Sequence, residues 1–430
     1  MSSSVEHRAG VADTARSASG GEARTAAIPL FDRAARRIML AAAQRIRIGR
    51  LTIVLPDGSR TIVGEDVGND GHGSTAEIRI HDERAVIRMF LGGETGAGEA
   101  YMDGSWSSPD LPALLKLAAR NREALALTRG WWRLPLQIPR IVGHRLRRNT
   151  VAQASRNIRR HYDLGNDFYR LFLDETMTYS SALFESPDQS LADAQRAKYR
   201  VIAERAGIRQ GMHVLEIGSG WGGFALHAAG NLGARVTSLT ISPAQQGLAL
   251  ERVRSAGLED LATVELRDYR EIDGQYDAIV SIEMVEAVGH DFLPTYFAAC
   301  DRALKPGGRM SLQAITFPDA DYEAQRKSAN WVQTYIFPGG HLPSLAAIER
   351  ATAGTQLLVT AVQDVASSYA RTLATWRSNF LGRLDEVRAQ GFDERFIRMW
   401  EYYLAISEAG FATGITQVQQ IVLEKRRGIA

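Results

Sequence analysis

The sequence contains almost no cysteine and carries almost no net charge. Cys300 is the single cysteine among 430 residues, which excludes an intrachain disulfide framework and a zinc site built from cysteines. The 51 lysines and arginines balance 49 aspartates and glutamates, leaving a formal net charge of +2. The chain therefore lacks the general basic excess of a nucleic-acid-binding protein, and any anion-binding surface must be local. We expect no nucleic acid partner.

Long apolar runs are also absent from the sequence. No stretch approaches the roughly 18 consecutive apolar residues that a membrane-spanning helix needs. Residues 1–28 are rich in alanine, serine, glycine and arginine and lack the apolar centre of a signal peptide, so we expect a disordered tail. A role in lipid chemistry would therefore place the protein at a membrane surface. The scarcity of cysteine is consistent with a cytoplasmic location.

The chain is long enough for two substantial domains. Residues 29–129 predict a small α+β domain in which a helix over residues 31–43 comes first and a second helix starts at Gly98. Its predicted strands cover residues 47–54, 59–63, 75–80 and 85–90. Residues 130–150 combine Trp131 and Trp132 with a basic cluster. This composition is typical either of an element that touches anionic lipid headgroups or of a linker packed on a neighbouring domain.

Residues 151–430 form the second predicted domain, in which strands and helices alternate. The predicted strands cover residues 213–217, 235–240, 263–265, 277–282 and 309–315, with helical stretches between them. Alternation of this kind predicts a parallel, doubly wound sheet. Beyond about Tyr369 the pattern is mostly helical, and a last apolar run over residues 417–423 predicts an edge strand.

A glycine-rich turn gives the sharpest local signal. The strand that ends at Ile217 runs into Gly218, Gly220 and Gly223, and a helix follows. Their G-x-G-x-x-G spacing suits a nucleotide cofactor, because glycine lets the backbone approach a ligand at a helix N-terminus. The spacing alone does not select the cofactor.

Two details favour S-adenosylmethionine over NAD. A NAD site needs an acidic residue at the tip of the second strand to hold a ribose, and the residues there, Thr240 to Ser242, include no acid. Glu216 lies instead inside the first strand–turn motif, where class I methyltransferases commonly carry an acidic residue.

The chain resembles the cyclopropane fatty acid synthase family, which includes the mycolic acid methyltransferases. The matching blocks occur in family order and cover residues 161–167, 177–181, 215–223, 240–246, 267–270, 286–289, 335–340 and 369–373. Residues 98–106 also resemble the N-terminal domain of the full-length bacterial enzymes. The resemblance implies an α/β fold: a Rossmann-like class I methyltransferase with a mostly parallel seven-stranded sheet, plus the smaller N-terminal α+β domain.

The resemblance also implies the cofactor site and the reaction. The implied cofactor residues, with Glu216 of the glycine motif added, are Tyr179, Ser180, Glu216, Gly218, Gly220, Thr240, Gln245 and Tyr269. The implied reaction transfers a methyl group from S-adenosylmethionine to a cis double bond of an unsaturated phospholipid acyl chain. Proton loss from the resulting cation then closes a cyclopropane ring. The bilayer surface is accordingly the expected partner, and the inner face of the membrane the expected place of work.

Family enzymes are understood to use a bound bicarbonate as the base. The resemblance implies that Glu286, Tyr369 and the backbone of Ile315 contribute to its cradle. Two positions depart from the family pattern, because Ser181 stands where a cysteine is usual and Gln313 where a histidine is usual. Serine and glutamine still donate hydrogen bonds, so an anion site could persist with altered properties. Glu283 precedes Glu286 by about one helical turn, and we predict that Glu286 faces inward while Glu283 is the candidate surface acid.

These departures leave the product open. Cyclopropanation is the first expectation; a hydride shift before proton loss would give a methylene branch, which a separate reductase could convert to a methyl branch. A small-molecule methyltransferase and a non-catalytic lipid-binding protein remain as alternatives, and the sequence leaves a homodimer open. We predict no metal site, because His161 and His290 lack ligand spacing with other donors.

Overall fold

The computed structural model describes residues 30–65, 75–125, 164–327 and 330–427, with the side chains of the first helix described from residue 36 onward. The predicted tail, the Trp131–Trp132 segment and the first three residues of the block at 161–167 lie outside this range. The domain boundaries given above stay predictions.

The N-terminal part contains a small sheet covered by helices. Its elements are α1 (Leu30–Ala43), β1 (Gly49–Val54), β2 (Arg60–Glu65), β3 (Thr75–Ile80), α2 (Arg84–Met102), β4 (Trp106–Ser107), α3 (Leu111–Arg120) and α4 (Arg122–Leu125). The strand order is β2-β1-β3-β4, with β1 antiparallel to β2 and parallel to β3. The predicted first helix and first three strands are confirmed.

The predicted strand over residues 85–90 is wrong, because these residues form the first part of α2. Val86 and Ile87 favour a strand by propensity, yet Ala85 and Val86 are buried from a helical backbone. The helix is interrupted at Gly93, whose backbone angles of φ 57° and ψ −138° are not helical. Tertiary packing has therefore overridden a local preference.

The remaining described residues form a larger sheet with helices on both faces. Its helices are α5 (Asn166–Arg170), α6 (Leu191–Ala206), α7 (Gly223–Leu232), α8 (Pro243–Ser255), α9 (Leu293–Ala303), α10 (Asp319–Arg326), α11 (Trp331–Tyr335), α12 (Leu345–Thr352), α13 (Ala366–Leu381), α14 (Leu384–Ala389) and α15 (Glu394–Ala412). Its strands are β5 (His213–Ile217), β6 (Arg235–Thr240), β7 (Ala262–Leu266), β8 (Tyr276–Ile282), β9 (Leu304–Thr316), β10 (Leu357–Asp364) and β11 (Gln417–Lys425).

The strand order confirms the predicted fold class. Within the described residues the sheet has seven strands in the order β10-β11-β9-β8-β5-β6-β7. Strands β5 to β9 are parallel to their neighbours among themselves, and β11 is antiparallel to both β9 and β10. The predicted strands of this sheet are all present. The carboxyl ends of its parallel strands lie at one edge, where open α/β sheets bind their ligands.

The position predicted for the last strand is wrong. Strand β11 does not form an edge but lies between β9 and β10, and it is almost entirely buried. The edge strand on this side of the sheet is β10, for which the sequence analysis predicted no strand. Most of β10 is exposed, so it lacks the half-buried alternation that identifies a strand in a sequence.

The N-terminal helices pack directly on the helices that connect β10 and β11 of the large sheet. The Tyr101 hydroxyl in α2 donates a hydrogen bond to Glu401 at 2.7 Å. Lys116 in α3 forms an ion pair of 2.6 Å with the buried Glu408 in α15. One apolar core runs from the small sheet through these helices to Trp400. In the part of the chain that the structure describes, none of the helices has the length and apolarity needed to cross a bilayer.

Candidate active site

A cavity of about 810 Å³ opens at the carboxyl edge of the large sheet. One end lies against the glycine turn after β5 and the tips of β6 and β8. The other end lies against apolar residues of α3, α13 and α15, among them Leu115, Leu373 and Ile406. The cavity is thus continuous from a polar, glycine-lined end to an apolar end.

The glycine turn has a shape that other residues would disturb. Gly218 and Gly220 have φ angles of 98° and 49°, in the region that favours glycine. A Cβ on Gly218 would lie 3.0 Å from the Met284 side chain, whereas one on Gly220 would meet no protein atom within 4 Å. A side chain at Gly220 would therefore occupy the cavity itself.

The tip of β6 presents uncharged polar groups to the cavity. The Thr240 hydroxyl donates to Oε1 of Gln245 at 2.9 Å, and the Ser242 backbone N–H donates to the Thr240 hydroxyl at 3.1 Å. Tyr269 follows β7 and lines the same end. The structure brings all the predicted cofactor residues to this cavity, namely Tyr179, Ser180, Glu216, Gly218, Gly220, Thr240, Gln245 and Tyr269. The backbone cradle at the turn and the absence of an acid from β6 fit S-adenosylmethionine.

Two ionisable groups, Glu216 and Lys198, are buried close to the glycine-lined end of the cavity. Burial raises the pKa of Glu216 to about 8, although the Ser238 hydroxyl donates to its carboxyl group. Burial lowers the pKa of Lys198 to about 7, against the opposing effect of the Glu283 charge. The Lys198 ammonium donates to the Ser180 hydroxyl at 2.7 Å.

We expect Glu216→Gln to flatten the decline of stability with rising pH. A raised pKa means that the folded protein keeps a proton that the unfolded chain releases above its ordinary pKa of 4.5, so stability falls as pH rises from about 4.5 to about 8. Glutamine does not titrate and can still accept from Ser238. The free energy of unfolding, measured by urea denaturation at pH 5 and pH 8, should fall less in the variant, by on the order of 2–4 kcal/mol. An equal fall in the free energy of unfolding between pH 5 and pH 8 in the wild type and the variant would contradict the expectation.

Glu283, which the sequence analysis placed at the surface, lines the cavity. The Ser181 backbone N–H and the Gln313 side-chain amide each donate to Oε1 of Glu283 at 2.8 Å. The hydroxyl of Ser181 turns away and donates to the carbonyl of Ala182 at 2.9 Å. Ser181 and Gln313 are fully buried behind Glu283, which itself lines the cavity. The expectation that Glu283 is the surface acid is therefore wrong.

Glu286 lines the cavity as well. The Ile315 backbone N–H donates to Oε1 of Glu286, while Oε2 is buried without a hydrogen-bond partner among the described residues. Burial, and then the charge of Glu283, raise the pKa of Glu286 to about 8. Tyr369 lines the cavity beside Glu283, to which its hydroxyl is hydrogen-bonded, and its ring stacks on Phe411 with ring centroids 4.4 Å apart. Two carboxyl groups and a phenol thus converge on one side of the cavity.

Sequence reasoning missed the roles of Glu283, Lys198 and the cavity wall supplied by α2 and α3. One signal for Glu283 was available. Ile282 pairs with Gln313 across β8 and β9, so Glu283 is the first residue beyond the carboxyl end of a parallel strand. Side chains at such ends face the ligand site of an open α/β sheet. The wall from α2 and α3 carried no signal, because it depends on how distant segments pack.

The parallel sheet, the glycine turn and the cavity beside it define a class I S-adenosylmethionine-dependent methyltransferase. The family described as mycolic acid cyclopropane synthetase matches residues 149–421, and the chain belongs to that family.

Individual relatives cover most of the chain. A tuberculostearic acid methyltransferase of Mycobacterium tuberculosis is 45% identical over 385 residues, 87% of either protein. The cyclopropane-fatty-acyl-phospholipid synthase of Escherichia coli is 35% identical over 358 residues, 81% of this chain and 88% of that enzyme. Among solved structures, a mycolic acid cyclopropane synthase complexed with SAH and CTAB is 31% identical and covers 63% of this chain and 98% of its own, with a TM-score of 0.59.

Proposed function

We propose that the protein transfers a methyl group from S-adenosylmethionine to the cis double bond of an unsaturated phospholipid acyl chain. The observation that carries the proposal is the continuous cavity, which joins the glycine turn to a wall of apolar side chains. A small polar substrate would not need that apolar end. The relatives named for fatty acids and for fatty-acyl phospholipids support the same substrate class.

The cofactor supplies a methyl group bonded to a positively charged sulfur. An alkene is a weak nucleophile, so the protein must hold the double bond in line with that methyl group and keep water away. The apolar wall serves both needs. Methyl transfer leaves a positive charge on the acyl chain, and the aromatic residues Tyr179, Phe337 and Tyr403 line the same cavity. Aromatic faces attract a cation and would stabilise this charge.

For the product, we propose a methylene-branched chain, formed when a hydride shift precedes proton loss. The 45% identical relative is named for methyl transfer and not for cyclopropane formation, which supports this choice. A separate reductase would then be needed to give a methyl branch. Cyclopropane formation is the second candidate, supported by the relative from Escherichia coli. The lipid substrate also implies that the enzyme works at a bilayer surface.

The test supplies purified protein with radiolabelled methyl donor and vesicles of dioleoyl phosphatidylglycerol. Label in the lipid fraction supports the proposal, whereas label confined to water-soluble acceptors indicates a small-molecule methyltransferase. Cofactor binding without transfer indicates a non-catalytic protein. A methylene branch and a ring have the same mass, so proton NMR of the extracted fatty acid, which separates vinylic from cyclopropyl hydrogens, identifies the product.

We expect Ala118→Phe to impair lipid methylation without affecting cofactor binding. Ala118 lies in α3 and lines the cavity together with Leu115, on a different element from the glycine turn after β5. A benzyl group there would fill space that we assign to the acyl chain. Transfer to the vesicles should fall about tenfold or more, since misplacement of a reacting group costs this much. Calorimetric titration with the cofactor and thermal unfolding serve as controls, and unchanged lipid transfer would contradict the assignment.

A further inference from the structure

The hydrogen-bond donors expected to hold a bicarbonate are already engaged by the protein. Ser181 and Gln313 donate to Glu283, and the backbone of Ile315 donates to Glu286. A bound bicarbonate would lie beside these two carboxyl groups without those donors, and like charges at close range repel. The residues present therefore do not fit a bicarbonate, and Glu283 occupies the place that the cradle would offer it.

The backbone at Glu283 is held in a conformation that favours glycine. Its φ angle is 50°, and its backbone N–H donates to the carbonyl of Gln313 at 2.8 Å. Residues other than glycine rarely adopt this region, and such exceptions concentrate at functional sites. In this backbone conformation the carboxyl group of Glu283 accepts hydrogen bonds from the Ser181 backbone N–H and the Gln313 side-chain amide.

Gln420 orients the side-chain amide of Gln313, which donates a hydrogen bond to Glu283. The buried Gln420 in β11 donates from its side-chain amide to Oε1 of Gln313 at 2.9 Å. With its oxygen engaged in this way, Gln313 presents its nitrogen to Glu283 at 2.8 Å and to the carbonyl of Ser181 at 3.2 Å. The amide therefore donates, and does not accept, at the carboxyl group.

The charges around Glu283 favour its ionised form. Burial raises the pKa of Glu283, but the Lys198 ammonium and hydrogen bonds from Gln313, Ser181 and Tyr369 act in the opposite direction. Glu286, the other carboxyl group of the cavity wall, has its own pKa raised partly by the charge of Glu283. On balance the pKa of Glu283 is raised, which suits a group that must accept a proton at neutral pH.

We propose that the carboxylate of Glu283 accepts the proton that the methylated acyl chain loses, and that it does so in place of a bound bicarbonate ion. This inference rests on the proposed methyl transfer. In that transfer a carbon–carbon bond forms to the acyl chain, the sulfur–methyl bond breaks and the sulfur keeps its electron pair. A carboxylate oxygen of Glu283 then takes a proton from the cationic chain, and the released C–H electrons close a ring or form a double bond. The neutral acid returns its proton to water after product release.

The test compares the wild type with Glu283→Gln and Glu283→Gly in buffer freed of carbon dioxide, with dioleoyl phosphatidylglycerol vesicles as substrate. The glycine variant suits the local backbone, since glycine adopts a φ of 50° without strain. We expect the wild type to keep its full rate without bicarbonate. Both variants should bind the cofactor normally and lose roughly a hundredfold or more in turnover, as expected for loss of a general base. Added formate or bicarbonate should raise the turnover of the glycine variant at least about tenfold, because the missing side chain leaves space for the small acid. Neither acid should raise the turnover of the glutamine variant.

Three outcomes would overturn the inference while leaving the proposed function intact. These are a wild type that needs bicarbonate, a glycine variant that keeps its turnover, and a glycine variant that neither small acid restores. A purely structural role for Glu283 would produce the last of these, because small acids do not repair a folding defect. A wild type that transfers no label to lipid under any condition would instead contradict the proposed function.

Discussion

Replacing Gly220 with leucine should strongly weaken cofactor binding and leave the protein folded. A side chain at this position meets no protein atom within 4 Å of its Cβ, so it would extend into the cavity beside the glycine turn. The space that we assign to S-adenosylmethionine would then be filled. We expect the dissociation constant measured by calorimetry to rise at least about a hundredfold, which corresponds to roughly 2.7 kcal/mol.

The matched control for this experiment is Gly257→Leu. Gly257 has a φ of 65°, a Cβ added there would also meet no atom within 4 Å, and the residue lies on the exposed surface after α8. Both variants carry the same backbone strain of about 1–2 kcal/mol, so both should unfold a few degrees lower than the wild type. Only Gly220→Leu should lose cofactor binding. Equal cofactor affinity in both variants would remove the glycine turn from the binding site.

Glu286→Gln should keep cofactor affinity and lose most turnover. Oε1 of Glu286 is fixed by the Ile315 backbone N–H, and Oε2 is buried beside the cavity with no partner among the described residues. The bound cofactor carries a positive charge, which favours release of the Glu286 proton to water before transfer, and the resulting carboxylate would stabilise the positive charge left on the acyl chain. Glutamine cannot ionise. The expected fall in turnover is on the order of a hundredfold, as for loss of one preorganised electrostatic group.

The comparison variant for Glu286 is Glu259→Gln, which changes the same atoms on the exposed surface between α8 and β7. It should match the wild type in rate and in cofactor affinity. Single-turnover measurements with bound cofactor separate a slower transfer step from slower product release. A wild-type rate in Glu286→Gln would exclude Glu286 from the mechanism.

The sequence predicted the large sheet well because its parallel strands are buried and punctuated by glycine. The strand over residues 235–240, for example, agrees residue for residue with β6. The errors of the prediction from the sequence have physical causes. Strand β10 is mostly exposed and gives no alternating pattern, and the segment over residues 85–90 has strand propensity but is held as a helix by packing. Neighbour order in a sheet, as for β11, depends on contacts that no local pattern encodes.

The candidate site was predictable where short motifs carry it. The glycine turn and the tip of β6 follow from local sequence, and the predicted cofactor residues line one cavity. The arrangement of Glu283 was not predictable, because a helical spacing of three residues says nothing about a strand end with a φ of 50°. Ser181 and Gln313 were expected to face the reacting centre directly, yet they lie behind Glu283. Both Glu283 and Glu286 line the cavity, and the backbone path at the end of β8 decides this.

The wall formed by α3 has a consequence for how this protein could diversify. Leu115 and Ala118 belong to the segment before residue 149, where the family match begins, yet they line the same cavity as the glycine turn. Substitutions in the segment before residue 149 could therefore change selectivity for acyl length or branching, while the residues that carry out methyl transfer stay the same. Grafting the front segment of one such enzyme onto the rear of another offers a direct route to new lipid preferences.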